Sequence, residues 1–496
     1  MSQIQVSGLR FCYEGSADPV FEDISFSADT DWRLGLIGRN GRGKTTLLRL
    51  LTGELSYTGS ITADVEFAYF PCRVERPERD TLEVLHAVCP EAEDWELLRE
   101  ASLLDVDAEV LYRPFTTLSG GERTKLLLAA MFLGTHRFLL IDEPTDHLDA
   151  TARQRVGAYL RRQKGFILVS HDRDLLDACV DHVLVLGRQS VTVQSGNFSA
   201  WQENKRRQDQ FAESENEKHR REIRKLRQAA RRTAEWADKS ERTKIGFDPV
   251  KEHDRCISTR AFIGAKTKKM QSRVASTEKR IAREIEAKEG LLQEIEESAE
   301  LRLSPEKYPQ RVLVHADDLA LYYGEHLVCG GIRFDIGNGE RIAVTGRNGC
   351  GKSTLLRLIC GEDIRYTGTL EIGSGLRISY VSQDTSMLHG TLQEYADSAG
   401  IEMPLFLAIL RKMGFAREQF RARLEDGSEG QKKKLLLARS LCERAHLYVW
   451  DEPLNYVDVI SRMQLEELLK QSGAALLFVE HDAAFRRAVA DRTLEL

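Results

Sequence analysis

One stretch of seventeen residues occurs twice in the chain, and this repeat constrains the fold more than any other feature. Gly38–Glu54 reads GRNGRGKTTLLRLLTGE and Gly346–Glu362 reads GRNGCGKSTLLRLICGE, with 13 of 17 positions identical. Both contain GxxxxGK[ST], in which glycines let backbone N–H groups surround phosphates, the lysine reaches the β- and γ-phosphates, and the hydroxyl holds Mg²⁺. Apolar residues before each stretch predict a strand, and those after the lysine predict a helix. The sequence therefore predicts two phosphate-binding loops.

The repeat extends well beyond these loops. The offset is 308 residues at the loop lysines, 309 at the motifs FLLIDEP and LYVWDEP, and 310 at the histidines of ILVSHD and LLFVEHD. So constant an offset over more than 120 residues indicates two tandem copies of one α/β domain. We call residues 1–204 copy one and residues 311–496 copy two, and we call residues 205–310, which separate them, the middle segment.

The acidic pair of each copy follows a short apolar run that predicts a buried parallel strand. An aspartate at the carboxyl end of such a strand can hold Mg²⁺, directly or through water. The adjacent Glu143 and Glu452 are placed to polarise an attacking water as general bases. The predicted metal ligands are Thr45, Asp142, Ser353 and Asp451. The histidines that follow another apolar run are candidates for γ-phosphate contact and join the catalytic set: His171 and His481.

The sequence LSGGE at Leu118–Glu122, which opens a predicted helix, resembles the signature of the ABC ATPases. In that superfamily the signature of one domain covers the nucleotide held by the other, so the resemblance implies an intramolecular ATP sandwich. It also implies hydrolysis of ATP to ADP and phosphate with Mg²⁺, and an aromatic ring stacked on adenine. The residues assigned to the nucleotide are Tyr13, Gly38, Asn40, Gly41, Gly43, Lys44, Thr45, Thr46, Ser119, Gly120, Gly121, Glu122, Tyr323, Gly346, Asn348, Gly349, Gly351, Lys352, Ser353, Thr354, Gln383, Ser428, Gly430 and Gln431.

The middle segment predicts two long charged helices that form an antiparallel hairpin with arms of roughly 50–60 Å. Gly246, Pro249 and Gly264 interrupt the helical pattern, so we place the tip at about 246–262. The apolar stripe of the first arm comprises Ile223, Leu226, Ala230, Thr233 and Ala237. The stripe of the second arm, at near-heptad steps, comprises Val274, Ile281, Ile285, Leu292 and Ile295.

Charge is distributed unevenly along the chain. The net charge is −6, yet Lys205–Arg280 contains 23 lysines and arginines against 12 acidic residues, so this span carries +11 and the remainder −17. One interpretation of the middle segment is a coiled-coil spacer whose charges only keep it soluble. A basic prong suits RNA instead, through phosphate contacts and ring stacking. The tip residues that fit this interpretation are Phe247, His253, Arg255, Arg260 and Phe262.

Two ABC ATPase domains with a helical hairpin between them resemble the ABC-F family over essentially the whole chain. The stretches WRLGLIGRNGRGKTTLLR, WDEPLNYVDVISRMQLEELL and FVEHD, with Glu480, are similar to the antibiotic-resistance group of that family. This resemblance implies binding at the ribosomal E site, with the hairpin aimed toward the peptidyl-tRNA. It further implies protection against lincosamides, streptogramin A and pleuromutilins. Contacts to ribosomal RNA and P-site tRNA through the middle segment, and a monomeric state, are implied as well.

The two copies differ at positions that matter to this family. The second signature, GSEGQ, has Gly427 in place of leucine and Glu429 in place of the first glycine, and an acidic side chain would repel the γ-phosphate unless it turned toward solvent. Copy two keeps the family's glutamine, Gln383, where copy one has Cys72. Asn455 is retained in copy two, whereas copy one has Asp146.

We therefore expect unequal ATP sites. The better hydrolytic site should combine Lys352, Glu452 and Gln383 of copy two with the first signature, Ser119, Gly120 and Gly121.

Three other functions share parts of this pattern. A housekeeping ABC-F translation factor would carry the same motifs without a drug role. The ATPase subunit of an exporter would also bind ATP, but the fused pair of ATPase domains and the basic hairpin argue against it. No apolar run approaches the roughly 20 residues that cross a bilayer. DNA-repair ATPases of this superfamily place a coiled coil inside one ATPase domain rather than between two. The N-terminus shows no charged-then-apolar leader, and nine cysteines lie without a CxxC pair, so we expect a cytoplasmic protein.

Overall fold

The computed structural model describes residues 2–14, 19–145, 148, 150–187, 190–242, 279–280, 303, 305–347, 349–415, 418–420, 422–455 and 457–496. The chain divides into two compact units, Met1–Trp201 with Ser298–Leu496 and Gln202–Glu297. The first unit holds copy one up to residue 201 and all of copy two, and the second holds most of the middle segment.

Copy one contains a three-stranded antiparallel sheet of order β2-β1-β4 and a six-stranded sheet of order β5-β6-β7-β3-β8-β9, parallel except for β9. Its strands are β1 Gln3–Phe11, β2 Phe21–Asp29, β3 Arg33–Gly38, β4 Thr58–Thr62, β5 Glu66–Phe70, β6 Arg137–Asp142, β7 Phe166–Val169, β8 His182–Leu186 and β9 Val191–Ser195. Its helices are α1 Lys44–Leu51, α2 Thr81–Val88, α3 Asp94–Leu103, α4 Gly120–Phe132, α5 Ala150–Leu160 and α6 Arg173–Cys179. The first residues of helix α7, Phe198–Arg242, complete this part of the chain.

Copy two repeats this plan with a sheet of order β11-β10-β13 and a five-stranded parallel sheet of order β14-β15-β16-β12-β17. Its strands are β10 Val312–Tyr323, β11 His326–Gly337, β12 Arg341–Thr345, β13 Tyr366–Ile372, β14 Ile378–Val381, β15 Leu447–Asp451, β16 Ala475–Val479 and β17 Arg492–Glu495. Its helices are α8 Lys352–Ile359, α9 Leu392–Ser398, α10 Met403–Lys412, α11 Glu429–Cys442, α12 Val459–Ser472 and α13 Ala483–Val489. Tandem P-loop domains of α/β class are therefore confirmed.

The strands that carry the acidic pairs are buried on both faces. In β6, Phe138 and Leu140 join one hydrophobic core of copy one, while Leu139 and Ile141 join the other. Successive side chains of a strand point to opposite faces, so a continuous apolar run fills two cores at once. Each fully buried side chain of this size stabilises the fold by about 1.5–3 kcal/mol. This packing fixes the position at which each strand ends.

Helix α7 of the middle segment is 45 residues long, or roughly 68 Å at 1.5 Å per residue. Ala212 and Ile223 are buried on it and Leu226 is half-buried, so part of the predicted stripe lies on one face. The side chains of Ala230, Thr233 and Ala237 lie outside the described residues, as do the tip at 246–262 and nearly all of the second arm. The hairpin and its boundaries at 205 and 310 stay a prediction.

Candidate functional site

The two phosphate-binding loops lie where parallel sheets of this kind hold ligands, between a central strand and the helix that follows it. One connects β3 to α1, and the other connects β12 to α8. Gly43 and Gly351, directly before the helices, have φ of 86° and 100°, and an added Cβ would lie 2.6 Å from Val20 or 2.8 Å from Val328. Only glycine fits such a position. The repeated glycines are therefore required by the backbone itself.

Each loop lysine bonds to its own loop. Lys44 donates from Nζ to the Gly38 carbonyl oxygen at 2.9 Å, and Lys352 donates to the Gly346 and Arg347 carbonyl oxygens at 3.1 and 2.9 Å. Burial lowers the pKa of Lys44, while Asp458 of copy two opposes that shift. The ammonium groups thus lie inside loops whose N–H groups surround the position of an anion.

The predicted Mg²⁺ ligands of copy one are in contact with one another. The Thr45 hydroxyl donates to Asp142 Oδ2 at 2.9 Å, and the Tyr69 hydroxyl donates to the same oxygen at 3.0 Å. Burial, with Asp142 next in importance, raises the pKa of Tyr69 above its ordinary value. A hydroxyl and a carboxylate that meet in this way are the hard oxygen ligands that Mg²⁺ prefers. The residues present fit the ion.

In copy two, Asp451 is fully buried, and its carboxylate oxygens have no hydrogen-bond partner among the described residues. Burial raises the pKa of this group, and the nearby Ser353 side chain opposes the rise. A buried carboxylate without a partner is costly, and a divalent cation would supply the missing positive charge. This site also fits Mg²⁺.

Glu452 is held by three side chains. His481 Nε2 lies 3.1 Å from Oε1, while Asn455 and Gln383 donate to Oε2 at 2.9 and 3.3 Å. The hydrogen bond with His481 is the main cause that lowers the pKa of Glu452, ahead of the opposing effect of burial. The structure therefore brings together four residues that the sequence singled out in copy two, and it holds the glutamate in its basic, ionised form.

Glu143 contacts the histidine of its own copy. Its Oε2 accepts a hydrogen bond from the His171 backbone N–H at 3.1 Å, and its Oε1 lies 3.3 Å from His171 Nε2. Burial lowers the pKa of His171 well below its ordinary value, and Arg462 of copy two adds to the effect. His171 is thus neutral at pH 7. At the positions of the two carboxamides that hold Glu452, copy one has Cys72 in place of glutamine and Asp146 in place of asparagine. Asp146 lies outside the described residues.

Both glutamates adopt a left-handed backbone conformation. Glu143 has φ of 47° and Glu452 has φ of 49°. Non-glycine residues avoid this region at a cost of about 1–2 kcal/mol, and such strain persists where the surroundings enforce it, often at functional sites. The same conformation in both copies marks the two positions as a matched pair. No sequence pattern indicated it.

A cavity of about 620 Å³ lies at the phosphate-binding loop of copy two. Its wall combines this loop with the DEP and histidine motifs of both copies. The sequence-predicted residues on the wall are Asn40, Glu143, His171, Gly349, Gly351, Lys352, Ser353, Thr354, Gln383, Glu452 and His481. Ser119, Gly120 and Gly121 do not line it, although Gly121 packs against Leu148, which does. The cavity is large enough for a nucleotide.

The loop of copy one is covered differently. The Asn40 backbone N–H donates to Asp458 Oδ2 of copy two at 3.2 Å, and Gly414 packs against the Asn40 carbonyl oxygen. The Tyr13 hydroxyl lies 2.9 Å from the Thr46 hydroxyl, beside this loop, whereas Tyr323 is 81% exposed. Within the described residues, the two loops therefore differ in which side chains cover them. Asn348, the counterpart of Asn40, lies outside the described residues.

The signature motifs begin helices α4 and α11 with capping boxes. The Ser119 hydroxyl accepts a hydrogen bond from the Glu122 N–H, while the Glu122 carboxylate accepts one from the Ser119 N–H, and Ser428 with Gln431 repeats the arrangement. The pattern S-x-x-[EQ] is a known helix-start signal. The assignment of Glu122 and Gln431 to the nucleotide stays a prediction, because capping already occupies both side chains.

Glu429, within the second signature, has a carboxylate that contacts Thr385 and solvent. The Thr385 hydroxyl donates to its carboxylate at 2.7 Å, Lys432 lies 3.6 Å away, and 61% of the side chain is exposed. The expected repulsion of a γ-phosphate is therefore weakened by solvent and by the lysine. The carboxylate instead links the start of α11 to the loop that carries Gln383.

Sequence reasoning missed two residues of the site. Tyr69, near the end of β5, donates a hydrogen bond to Asp142. Only the pairing of β5 with β6 could have indicated this contact, because the two residues are far apart in sequence. Arg462 is buried and donates from Nη1 to the His171 carbonyl oxygen of the other copy and to Asp482, both at 3.1 Å. The repeat could have indicated that Arg462 matters, because Arg153 occupies the equivalent position in copy one.

Known proteins are similar to this chain in sequence. The family model described as ABC transporter matches residues 21–146 and 329–455. Ribosome protection protein VmlR of Bacillus subtilis strain 168 is 28% identical over 479 residues, covering 95% of this chain and 83% of VmlR. The probable ATP-binding protein YheS of Escherichia coli strain K12 is 28% identical over 504 residues, covering 92% of this chain and 73% of YheS.

Solved structures agree in fold. The archaeal ribosome recycling factor aABCE1, in complex with the stalk protein aP1, has a TM-score of 0.61 at 20% identity and covers 98% of this chain and 87% of that one. At this identity the likeness establishes the fold alone. Among the described residues, no helix combines the length and the apolar character needed to cross a bilayer.

Proposed function

This chain belongs to the ABC transporter family of ATPases, and we propose that it is an ABC-F protein that protects the bacterial ribosome from antibiotics. In this proposal it binds at the E site, in the cytoplasm and as a monomer. The tip of the middle segment displaces drug from the peptidyl-transferase centre, and the basic segment contacts ribosomal RNA and P-site tRNA.

The observation that carries the ATPase activity is the cavity at copy two. Lys352, Ser353 and Glu452 line it, as do Glu143 and His171 of the other copy. Bound Mg²⁺ would neutralise charge on the β- and γ-phosphates. Ser353 and Asp451 would hold it in copy two, and Thr45 with Asp142 would hold it in copy one.

Glu452 has the chemistry of the general base. Its carboxylate is ionised and oriented by His481, Asn455 and Gln383, so it can accept a proton from a water molecule directed at the γ-phosphate. Lys352 places a cation at the phosphates. Because contacts across the cavity come from both copies, ATP would favour the closed arrangement and hydrolysis would release it.

The ribosomal part of the proposal has two supports. A relative that covers 95% of this chain is named a ribosome protection protein. The +11 charge of Lys205–Arg280 suits a phosphate-rich partner in a chain that is otherwise acidic.

Co-sedimentation with bacterial ribosomes tests this function. The Glu143→Gln, Glu452→Gln double variant should pellet with ribosomes in ATP but not in ADP or without nucleotide, because ATP binding without hydrolysis retains the closed form. A matched Lys44→Ala, Lys352→Ala variant should stay in the supernatant under all conditions. If the glutamine variant binds ATP yet never pellets, the ribosomal role is wrong.

Three further measurements separate the alternatives. Drug displacement from the ribosome distinguishes protection from a housekeeping role, since a translation factor without a drug role would pellet but displace nothing. Membrane fractionation identifies an exporter subunit, which would co-sediment with membranes rather than ribosomes. Sensitivity of the complex to DNase but not RNase would indicate a DNA partner.

A further inference from the structure

The interface between the copies contains an ion pair that the repeat does not reproduce. Arg173 of copy one donates from Nη1 to Glu466 Oε2 of copy two at 3.1 Å, and from Nη2 to Oε1 at shorter range. Asp482 lies 3.8 Å from Arg173 as a second acid. Both members of the pair are buried.

The positions related to this pair by the repeat are Gly157 and Ala483. The offset of 309 that relates the glutamates of the DEP motifs relates Gly157 to Glu466, and the offset of 310 at the histidines relates Arg173 to Ala483. The structure supports this equivalence, because Arg153 Nε bonds to the Leu148 carbonyl oxygen as Arg462 Nε bonds to that of Val457. One side of the interface therefore holds a buried ion pair, and the other holds a hydrogen atom and a methyl group.

A cavity of about 680 Å³ lies where the second pair is missing. Gly157 and Ala483 both line it, together with the apolar side chains of Ala158, Leu175 and Ala178. Its volume falls within the range of small-molecule sites, about 300–1,000 Å³. Copy one and copy two each contribute to its wall, so the site exists only in the tandem chain.

The charge on this wall is positive and only partly balanced. Its four arginines are Arg153, Arg161, Arg162 and Arg486. Its two carboxylates are already paired, Asp172 with Arg153 at 3.6 Å and Asp174 with Arg487 at 2.6 Å. Arg161, Arg162 and Arg486 have no acidic partner among the described residues.

One of these arginines also has a buried donor without an acceptor. Nε of Arg486 is inaccessible to solvent and makes no hydrogen bond within the described part of the chain. This nitrogen is closed to solvent and so to a ligand, and an anion in the cavity would instead contact the other nitrogens of the lining arginines. Guanidinium groups are suited to bind carboxylates and phosphates.

We infer that this cavity, which we call the interface cavity, binds a small organic anion. The acidic head of the ligand, a carboxylate, sulfonate or phosphate ester, contacts the arginines. Its apolar body lies over Gly157, Ala158, Ala178 and Ala483. This binding does not depend on the proposed ribosomal function.

Fluorescence of 8-anilinonaphthalene-1-sulfonate, an anionic probe with an apolar body, tests the inference. The full chain is titrated with saturating Mg²⁺–ADP, so that nucleotide already fills the ATP sites. The Gly157→Glu, Ala483→Arg double variant rebuilds the missing ion pair and fills the cavity without changing net charge. We expect its probe affinity to fall at least tenfold. An unchanged affinity would overturn the proposal.

Two controls keep the test decisive. An added side chain at Gly157 would approach Leu175 at 3.3 Å, so folding of the double variant is checked by circular dichroism. If it does not fold, Arg486→Gln takes its place, and we expect a severalfold loss of probe affinity. Arg76→Gln, which changes an exposed arginine outside the cavity, is its control and should leave probe affinity unchanged. N-phenyl-1-naphthylamine lacks the sulfonate, and equal binding of this neutral probe would show an apolar void instead of an anion site.

Discussion

The buried ion pair between the copies allows a quantitative test of how they are held together. Arg173→Ala leaves the carboxylates of Glu466 and Asp482 without their shared cation, although Asp482 retains Arg462 at 3.1 Å. Glu466→Ala leaves the guanidinium of Arg173 with Asp482 at 3.8 Å. The two truncations of one ion pair should therefore differ in cost.

The magnitudes follow from burial. The side chains of Arg173 and Glu466 are 9% and 10% exposed, and removal of one partner from such a pair destabilises a protein by about 3–5 kcal/mol. We expect this cost for Arg173→Ala. For Glu466→Ala we expect about 1.5–3 kcal/mol, the value of lost hydrogen bonds to a charged group, because Asp482 still compensates the arginine.

Urea unfolding followed by circular dichroism measures both free energies, and the double variant closes a mutant cycle. The coupling energy should lie between about 1 and 3 kcal/mol. Arg79→Ala is the matched control, since Arg79 pairs with Glu83 at the surface and should change stability by less than about 1 kcal/mol. A larger cost for Glu466→Ala than for Arg173→Ala would refute this reasoning.

Four other outcomes follow from the site. Glu452→Gln should lower steady-state ATP turnover more than Glu143→Gln, because only Glu452 is oriented by Gln383 and Asn455; the reverse order would contradict the assignment. His481→Ala removes the main cause that lowers the pKa of Glu452, so the acidic limb of the turnover–pH profile, where the carboxylate becomes protonated, should move to higher pH. The destabilisation caused by Arg173→Ala, measured by urea titration, should shrink as pH falls from 8 to 5. Burial already raises the pKa of Glu466 in the folded protein. A carboxyl group whose pKa is higher in the folded than in the unfolded state stabilises the fold when it binds a proton. Gly351→Ala adds a Cβ at φ of 100° and should weaken binding of a fluorescent ATP analogue roughly tenfold, from about 1–2 kcal/mol of strain.

Much of the fold could be predicted because its signals are local. The apolar runs before Asp142 and Asp451 are buried strands that end at these residues, and the glycines before Lys44 and Lys352 stand at the helix starts. Periodicity and loop chemistry act within a few residues of the chain, so one sequence is sufficient to read them.

The remaining features depend on residues far apart in sequence. The pairing of Arg173 with Glu466, 293 positions away, results from packing between two copies, and no sequence pattern links the two residues. The hydroxyl of Tyr69 reaches Asp142 only because β5 pairs with β6. Glu429 could be recognised as unusual, but the Thr385 contact that turns it away depends on the tertiary fold.

The left-handed backbone conformation of Glu143 and Glu452 lowers the stability of the fold at the two positions that supply the proposed general bases. A glycine at either position would relieve about 1–2 kcal/mol of backbone strain, yet it would remove the carboxylate. Both copies have glutamate at this position, so each retains a carboxylate next to its metal-binding aspartate together with a strained backbone.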